Sequence, residues 1–484
     1  MTGLKTSSEL ELLVPLDRDG SEPLHRQLEQ ELRASVRSGR LAAGSTMPST
    51  RSLGQQLGLS RGVVVEAYEQ LVAEGYLITR PGGATSVAPC AVPSHRPVRP
   101  RRQEEPEIAF RYGRPDVSEF PRAEWLRSLR RVLSDAPSDR LGYLDDRGVP
   151  ELRSALADYL NRVRGTCADA EQIVIVSGFA QGVALLSKLL RRHSRARLAL
   201  EDPSDDTPRL IAEANDVEVV PIPVDECGIL PDALHRSGAD AVIVTAAHQF
   251  PLGGVLLPDR RTELLRWAAD GDRLVIEDDY DAEYRYDREP IGAMQGLSPD
   301  RVIYIGSASK TLAPGLRLGW MVVPPHLVDE IATAKHLADR GSPALDQLAF
   351  ADFLTRGELD RHLRRMRPIY RRRRDLLLDG LATHLPQLRP VGASAGLHVL
   401  AWLPPEVDEG WLIQEAARAG VGLEGLAPYR IRPGGPGGII FGYADVTDSA
   451  IMEGIRRLGS ILSKSARYGE HQEGVPEAER PVRA

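Results

Sequence analysis

Cysteine is scarce in this chain of 484 residues: Cys90, Cys167 and Cys227 are odd in number and lack the spacing of a metal site. A disulfide-stapled scaffold is thereby excluded, and a reducing cytoplasm is the expected compartment. No uninterrupted apolar run approaches the roughly 20 residues that span a bilayer, and the first residues lack the basic-then-apolar pattern of a secretory signal. A surplus of positive charge is also missing. The formal net charge of −7 excludes a wholly basic nucleic-acid coat, though not a local patch. Another absence marks such a patch: from Leu32 to Val65 there is no acidic residue, while Arg33, Arg37, Arg40, Arg51 and Arg61 fall there. What is present is length for two or three domains and apolar content for a large core.

Residues 1–21 read as an N-terminal arm. From Pro23 onward Leu24, Leu28, Leu32 and Val36 recur every fourth place, one face of a helix that Gly39 and Gly44 close. Ser49 is placed to cap a second helix carrying Leu53 and Leu57 and ended by Gly58; Ser60 caps a third carrying Val64, Tyr68 and Leu71. Residues 76–79 and 85–87, around Pro81-Gly82-Gly83, predict a hairpin. Three helices and a hairpin over 22–88 make a winged helix-turn-helix with one positive face. Phosphate neutralisation gives such a unit its general DNA affinity, and Arg61, just inside the third helix, is the best base-reading candidate. Met47-Pro48-Ser49-Thr50-Arg51-Ser52-Leu53, Leu57-Gly58-Leu59-Ser60-Arg61 and Ala73-Glu74-Gly75-Tyr76-Leu77 resemble the GntR winged-helix family. The resemblance implies operator DNA as partner, with Ser49, Arg51, Ser60, Arg61 and the wing at Gly83 as DNA-facing candidates.

Residues 89–107, rich in Pro, Arg and Glu, read as a semi-extended linker. Beyond Ile108, apolar runs at 173–176, 198–200, 217–220, 241–245, 274–276 and 302–305 alternate with amphipathic stretches. That alternation predicts an α/β domain with a mostly parallel sheet covered on both sides, whose ligands sit at the strand C-terminal ends. Ser177, Glu201, His248, Asp278 and Lys310 all follow such runs. A small α+β lobe completes a domain over 108–464, and 465–484 read as a disordered tail.

The run Val302-Ile303-Tyr304-Ile305-Gly306-Ser307-Ala308-Ser309-Lys310 ends a strand in small hydroxyl residues and one lysine, with Arg317 just beyond. Small neighbours leave room for a flat ring, hydroxyls and arginine can hold a phosphate, and the amine can bind covalently. Upstream, Leu274-Val275-Ile276-Glu277-Asp278-Asp279-Tyr280 ends a second strand in carboxylates, as a pyridoxal phosphate site requires opposite its ring nitrogen. Here the chain resembles the fold-type I aminotransferases and, over nearly its whole length, the MocR-type regulators, which join a GntR-type head to such a domain. The resemblance implies pyridoxal 5'-phosphate held covalently by Lys310, with Asp278 facing the ring nitrogen and Tyr280 its phenolic oxygen. Ser177, Gly178, Phe179, Ser307, Ser309 and Arg317 would hold the phosphate, and Tyr143 would reach the phosphate of the neighbouring subunit of a homodimer. His248 stands equally open to a cofactor role and to a structural loop role.

Three positions depart from the family pattern. Phe250, in His248-Gln249-Phe250-Pro251-Leu252-Gly253, replaces the Asn that bonds the ring oxygen. Asp205 replaces the aromatic that stacks on the ring, and Ile440 stands where an arginine holds the substrate carboxylate. Arg430, Arg432 and Asp205 are therefore the candidate effector residues. The leading expectation is a cytoplasmic transcription regulator sensing an amine, amino acid or vitamin B6-type effector. The alternatives are an aminotransferase with an appended DNA-binding head, and a cofactor-free regulator that uses the domain for dimerisation.

Overall fold

The computed structural model describes residues 14–80, 83–89, 106–194, 196–286, 291–392 and 394–472. The chain forms two compact units, divided between Gln103 and Glu104.

The first unit has helices α1 (Leu24–Arg37), α2 (Thr50–Leu57) and α3 (Arg61–Ala73), then antiparallel strands β1 (Leu77–Thr79) and β2 (Thr85–Val87). Leu28, Leu32, Val36, Leu53, Val64, Tyr68 and Leu71 share one buried cluster, so the spacing read in the sequence is the inner face of each helix. The Ser49 hydroxyl accepts the Ser52 N–H at 3.1 Å, and the Ser60 hydroxyl accepts that of Val63 at 3.4 Å. Gly58 ends α2 at φ 62°, a left-handed turn that glycine adopts without steric cost. Part of the stretch expected to be an N-terminal arm joins the unit. Val14 and Leu16 pack on this core, and the Arg18 guanidinium donates to the Leu57 carbonyl at 2.8 Å. Apolar burial there offsets the entropy of ordering the strand of chain. The hairpin tip at Pro81 and Gly82, and Arg96, Arg99, Arg101 and Arg102 of the linker, lie outside the described residues.

In the second unit β3 (Ile108–Ala109) precedes helices α4 (Arg122–Asp135) and α5 (Pro150–Arg164). There follow β4 (Ile173–Val176), α6 (Phe179–Arg192), β5 (Arg197–Asp202), α7 (Asp206–Ala214), β6 (Glu218–Asp225) and β7 (Gly228–Ile229). Strands β8 (Ala241–Val244), β9 (Leu274–Asp279), β10 (Val302–Ser307) and β11 (Gly319–Val322) complete an eight-stranded sheet in the order β4-β11-β10-β9-β8-β5-β6-β7. Its middle is parallel, while β11 runs antiparallel between β10 and β4. Val242, Val244 and Val275 pack on one face with Trp267, whereas Ile243, Ile276 and Ile305 pack on the other with residues of α6. Alternate side chains thus bury both faces, which is why the strands read as continuous apolar runs.

The C-terminal lobe contributes β12 (Arg389–Val391), β13 (His398–Trp402), β14 (Val421–Gly422), β15 (Glu424–Gly425) and β16 (Gly438–Gly442). All but β14 form an antiparallel sheet; β14 pairs with β3. The last helix, Asp448–Gln472, overruns the boundary expected at 464, correcting the tail over that stretch. Anchored by buried Ile451, Ile455, Leu458 and Leu462, it propagates at one backbone hydrogen bond per added residue. Among the described residues no helix is long and apolar enough to cross a membrane.

Candidate functional site

The acid-free stretch of the first unit divides into two groups of arginines. Arg33 donates to both Glu74 oxygens at 2.8 and 2.7 Å, and Arg37 donates to the Tyr76 hydroxyl at 2.8 Å. Both guanidinium carbons lie over the Tyr76 ring, at 5.9 and 5.4 Å. These two arginines tie α1 to the segment between α3 and β1. Arg51 and Arg61, in the first turns of α2 and α3, are exposed and pair with no described residue. With Arg40, which is exposed and stands 3.9 Å from Glu31, they are the charges left for a phosphate or a base edge. At the wing, the Gly83 N–H bonds the Arg80 carbonyl at 2.8 Å.

In the second unit the loops at the strand ends enclose a cavity of about 300 Å³. Lys310 enters it from the loop after β10, and its Nζ donates to the Gly113 carbonyl at 2.7 Å, 5.2 Å from the Tyr112 ring centre. Burial pushes the Lys310 amine below its ordinary pKa, against the pull of Asp205, Asp281 and Asp278. Asp278 lies on the neighbouring strand, in register with Ile305. Burial, reinforced by Asp205, drives its carboxyl well above the usual range, and no described residue donates a hydrogen bond to it. That is the environment in which a protonated ring nitrogen would be a welcome partner.

The far end of the cavity is built for an anion. Gly178, Phe179 and Ala180 at the N-terminus of α6 line it, with Ser307, Ser309 and Arg317 opposite. The Ser307 hydroxyl donates to that of Ser309 at 2.8 Å. Arg317 is a non-glycine residue at φ 51°, a sparsely populated conformation of the kind that collects at ligand sites. A Cβ on Gly178 would stand 3.3 Å from its guanidinium, so the two surfaces approach closely. Lysine, unbonded carboxyl and anion end together fit a phosphorylated pyridine aldehyde.

Other expectations are redrawn. Ser177 does not line the cavity; its N–H is taken by the Gln181 side chain at 2.8 Å, leaving the amides that follow. Tyr280 does line it, yet its hydroxyl already lies 3.0 Å from both the carbonyl and Nδ1 of His248. His248 stands behind the cavity, buried, with Nδ1 3.0 Å from Asp281. Burial opposes its protonation, but Asp281 outweighs it and moves the pKa up. Its ring and its carbonyl both face the Tyr280 hydroxyl. Tyr143 is absent from the cavity of its own chain and 89% exposed, with Arg340 5.2 Å over its ring. Arg430 and Arg432 do not reach the cavity either, because their guanidinium groups are turned to the Pro436 and Pro221 carbonyls at 2.7 and 3.3 Å.

Phe250 lines the cavity and stacks on Tyr112 at 4.1 Å, and Ile440 is buried in the apolar cluster behind it. Asp205 also lines the cavity and caps α7 by accepting the Thr207 N–H at 2.8 Å. Tyr112 and Gly113 were not anticipated, although a Tyr-Gly turn straight after an apolar strand was a signal to weigh. In the long helix Glu358–His384, Arg373 and Arg374 are buried, and Arg373 donates to Asp116 at 2.9 Å.

Residues 113–450 match the family described as aminotransferase class I and II, and residues 24–87 match the bacterial regulatory proteins of the gntR family. The chain is 34% identical over 460 residues to the pyridoxine biosynthesis regulator PdxR of Corynebacterium glutamicum, covering 93% of this chain and 99% of the relative. It is 33% identical to the probable rhizopine catabolism regulatory protein MocR of Rhizobium meliloti over 93% of this chain and 96% of that one. Among solved structures, a Pyrococcus horikoshii kynurenine aminotransferase superposes with a TM-score of 0.69 at 25% identity, over 74% of this chain and 91% of that one. The aminotransferase family is pyridoxal phosphate-dependent, and the neighbouring structures have the same large mixed sheet. With a gntR-type winged helix ahead of an aminotransferase-like domain, the chain belongs to the MocR-type family of DNA-binding transcriptional regulators.

Proposed function

We propose that this regulator holds pyridoxal 5'-phosphate in the second unit and that an amine effector entering the same cavity governs its action on operator DNA. The observation that carries the reading is the cavity itself: Lys310, Asp278 and the anion end of Gly178, Ser307, Ser309 and Arg317 converge on one space. When bound, the cofactor supplies an aldehyde that condenses reversibly with amines. Lys310, kept closer to neutrality by burial, is the chain's own amine at that place. Asp278 faces the ring nitrogen, and the α6 amides with Arg317 hold the phosphate. Tyr112 and Phe250 give the ring an apolar wall.

A homodimer belongs to the same reading, since Tyr143, Leu133, Leu141 and Leu337 are exposed apolar side chains that a partner would cover. The burial of Ile440 and the outward turn of Arg430 and Arg432 favour sensing over amino-acid turnover. The test is the visible spectrum of the full-length protein with pyridoxal phosphate, beside Lys310→Ala, before and after borohydride. A band that reduction fixes covalently in the native chain alone is expected. No band in the native chain would refute the cofactor and leave a regulator that uses the domain for dimerisation.

A further inference from the structure

The cavity holds more carboxylate than the cofactor can use. Glu201, Asp205 and Asp278 line it, and its lining side chains include two cations, Lys310 and Arg317. On the reading proposed above, on which this inference rests, Arg317 is matched by phosphate, Asp278 by the ring nitrogen, and Lys310 is bonded covalently. Asp205 is then left facing the effector space without a counter-charge. It is also the foremost charged neighbour acting on both Lys310 and Asp278.

The remaining acids near the cavity are already engaged. Glu201 accepts from Thr245 at 2.6 Å, Asp281 faces His248 at 3.0 Å, and Glu424 accepts from Tyr429 at 2.5 Å and from the Tyr112 N–H at 2.9 Å. Asp205 has one oxygen on the Thr207 N–H at 2.8 Å and no other donor among the described residues. Among the described residues the cavity is lined by no arginine besides Arg317: Ile440 is buried, and Arg430 and Arg432 are bonded elsewhere.

We infer that the effector is an amine bearing a second cationic group and no carboxylate, with Asp205 binding that second cation. A carboxylate brought into this space would meet Asp205, with Arg317 held by the phosphate and only the displaced Lys310 amine, which Asp205 itself attracts, as a cation, so like-charge repulsion disfavours simple amino acids. A charge-assisted hydrogen bond to Asp205 rewards a diamine instead.

The experiment compares three amines of equal chain length, putrescine, butylamine and γ-aminobutyrate, titrated into the full-length protein loaded with pyridoxal phosphate. Binding is followed by the visible spectrum and by calorimetry. Putrescine is expected to half-saturate at a concentration about tenfold below butylamine, equivalent to about 1.4 kcal/mol, with γ-aminobutyrate weakest. In Asp205→Asn, where asparagine keeps the helix cap, the putrescine-to-butylamine ratio should fall to within about twofold. Comparing ratios within each variant removes any difference in cofactor loading. A γ-aminobutyrate response stronger than that of putrescine, an unchanged ratio in Asp205→Asn, or silence to all three amines overturns this inference alone. No cofactor band at all overturns the cofactor reading, and this inference with it.

Discussion

Directly behind the cavity, Arg164 and Asp279 form an ion pair that water barely reaches. Their side chains are 0% and 1% exposed, with Nε 2.7 Å from Oδ2, and the Tyr304 hydroxyl donates to the same oxygen at 2.7 Å. Both Arg164 Nη atoms and Asp279 Oδ1 have no hydrogen-bond partner among the described residues. A pair so incompletely bonded gains little over an apolar substitute, but breaking it on one side strands a buried charge at about 3–5 kcal/mol. Asp279→Asn strands the guanidinium, and the pull of Glu283 on Arg164 tempers the loss toward the lower end. Arg164→Met with Asp279→Leu removes both charges, orphans the Tyr304 hydroxyl and takes the nearby Arg164 charge from buried Glu283, costing about 1–3 kcal/mol. The double variant is therefore expected to lose clearly less than the sum of Arg164→Met and Asp279→Leu made singly.

Chemical denaturation followed by tryptophan fluorescence measures this in one unit alone. All five tryptophans, at positions 125, 267, 320, 402 and 411, belong to the second unit. Asp279→Asn should lower the midpoint at unchanged slope, and the double variant should recover part of the loss. A loss below about 1 kcal/mol in Asp279→Asn, or strictly additive effects, would refute the argument that a charge is stranded there.

Other outcomes are open to measurement. Arg61→Ala should cost operator binding about 1–3 kcal/mol and relax base preference at one position, whereas Arg33→Ala should instead lower the stability of the first unit; operator titrations at several salt concentrations, beside thermal unfolding, separate the two. Gly113→Ala places a Cβ 2.5 Å from the Lys310 Nζ at φ +74°, so cofactor loading in a spectral titration should weaken by tenfold or more, about 1.4 kcal/mol. Burial raises Glu201 from 4.5 to about 7 although Thr245 and Gln249 oppose it. A folded pKa above the unfolded one means that the stabilising proton is fully present below pH about 4.5 and lost as pH rises through about 7. Glu201→Gln should flatten that decline by about 1–3 kcal/mol, read as unfolding midpoints across the window.

What the sequence by itself determined was local. Serines at 49 and 60, glycine at 58 and apolar residues every fourth place specify caps, a turn and an inner face within a few residues of one another, so the winged helix was legible. The parallel strands were legible because burial on both faces writes itself as unbroken apolar runs. Lys310 and Asp278 were legible because each ends such a run with a residue that a buried strand end does not otherwise favour. Only the tertiary structure decided what meets across long separations. Lys310 meets Gly113, Arg164 meets Asp279, and Arg373 meets Asp116, pairs 197, 115 and 257 positions apart. No periodicity links such residues; the sheet order and the fold of the C-terminal lobe bring them together. The same is true of which side chain turns inward: His248 withdrew to face the Tyr280 hydroxyl, Arg430 and Arg432 turned to backbone carbonyls, and Asp205 remained facing the cavity. Residue type set what each group could do, and neighbours supplied by distant segments set which of those possibilities each one realises.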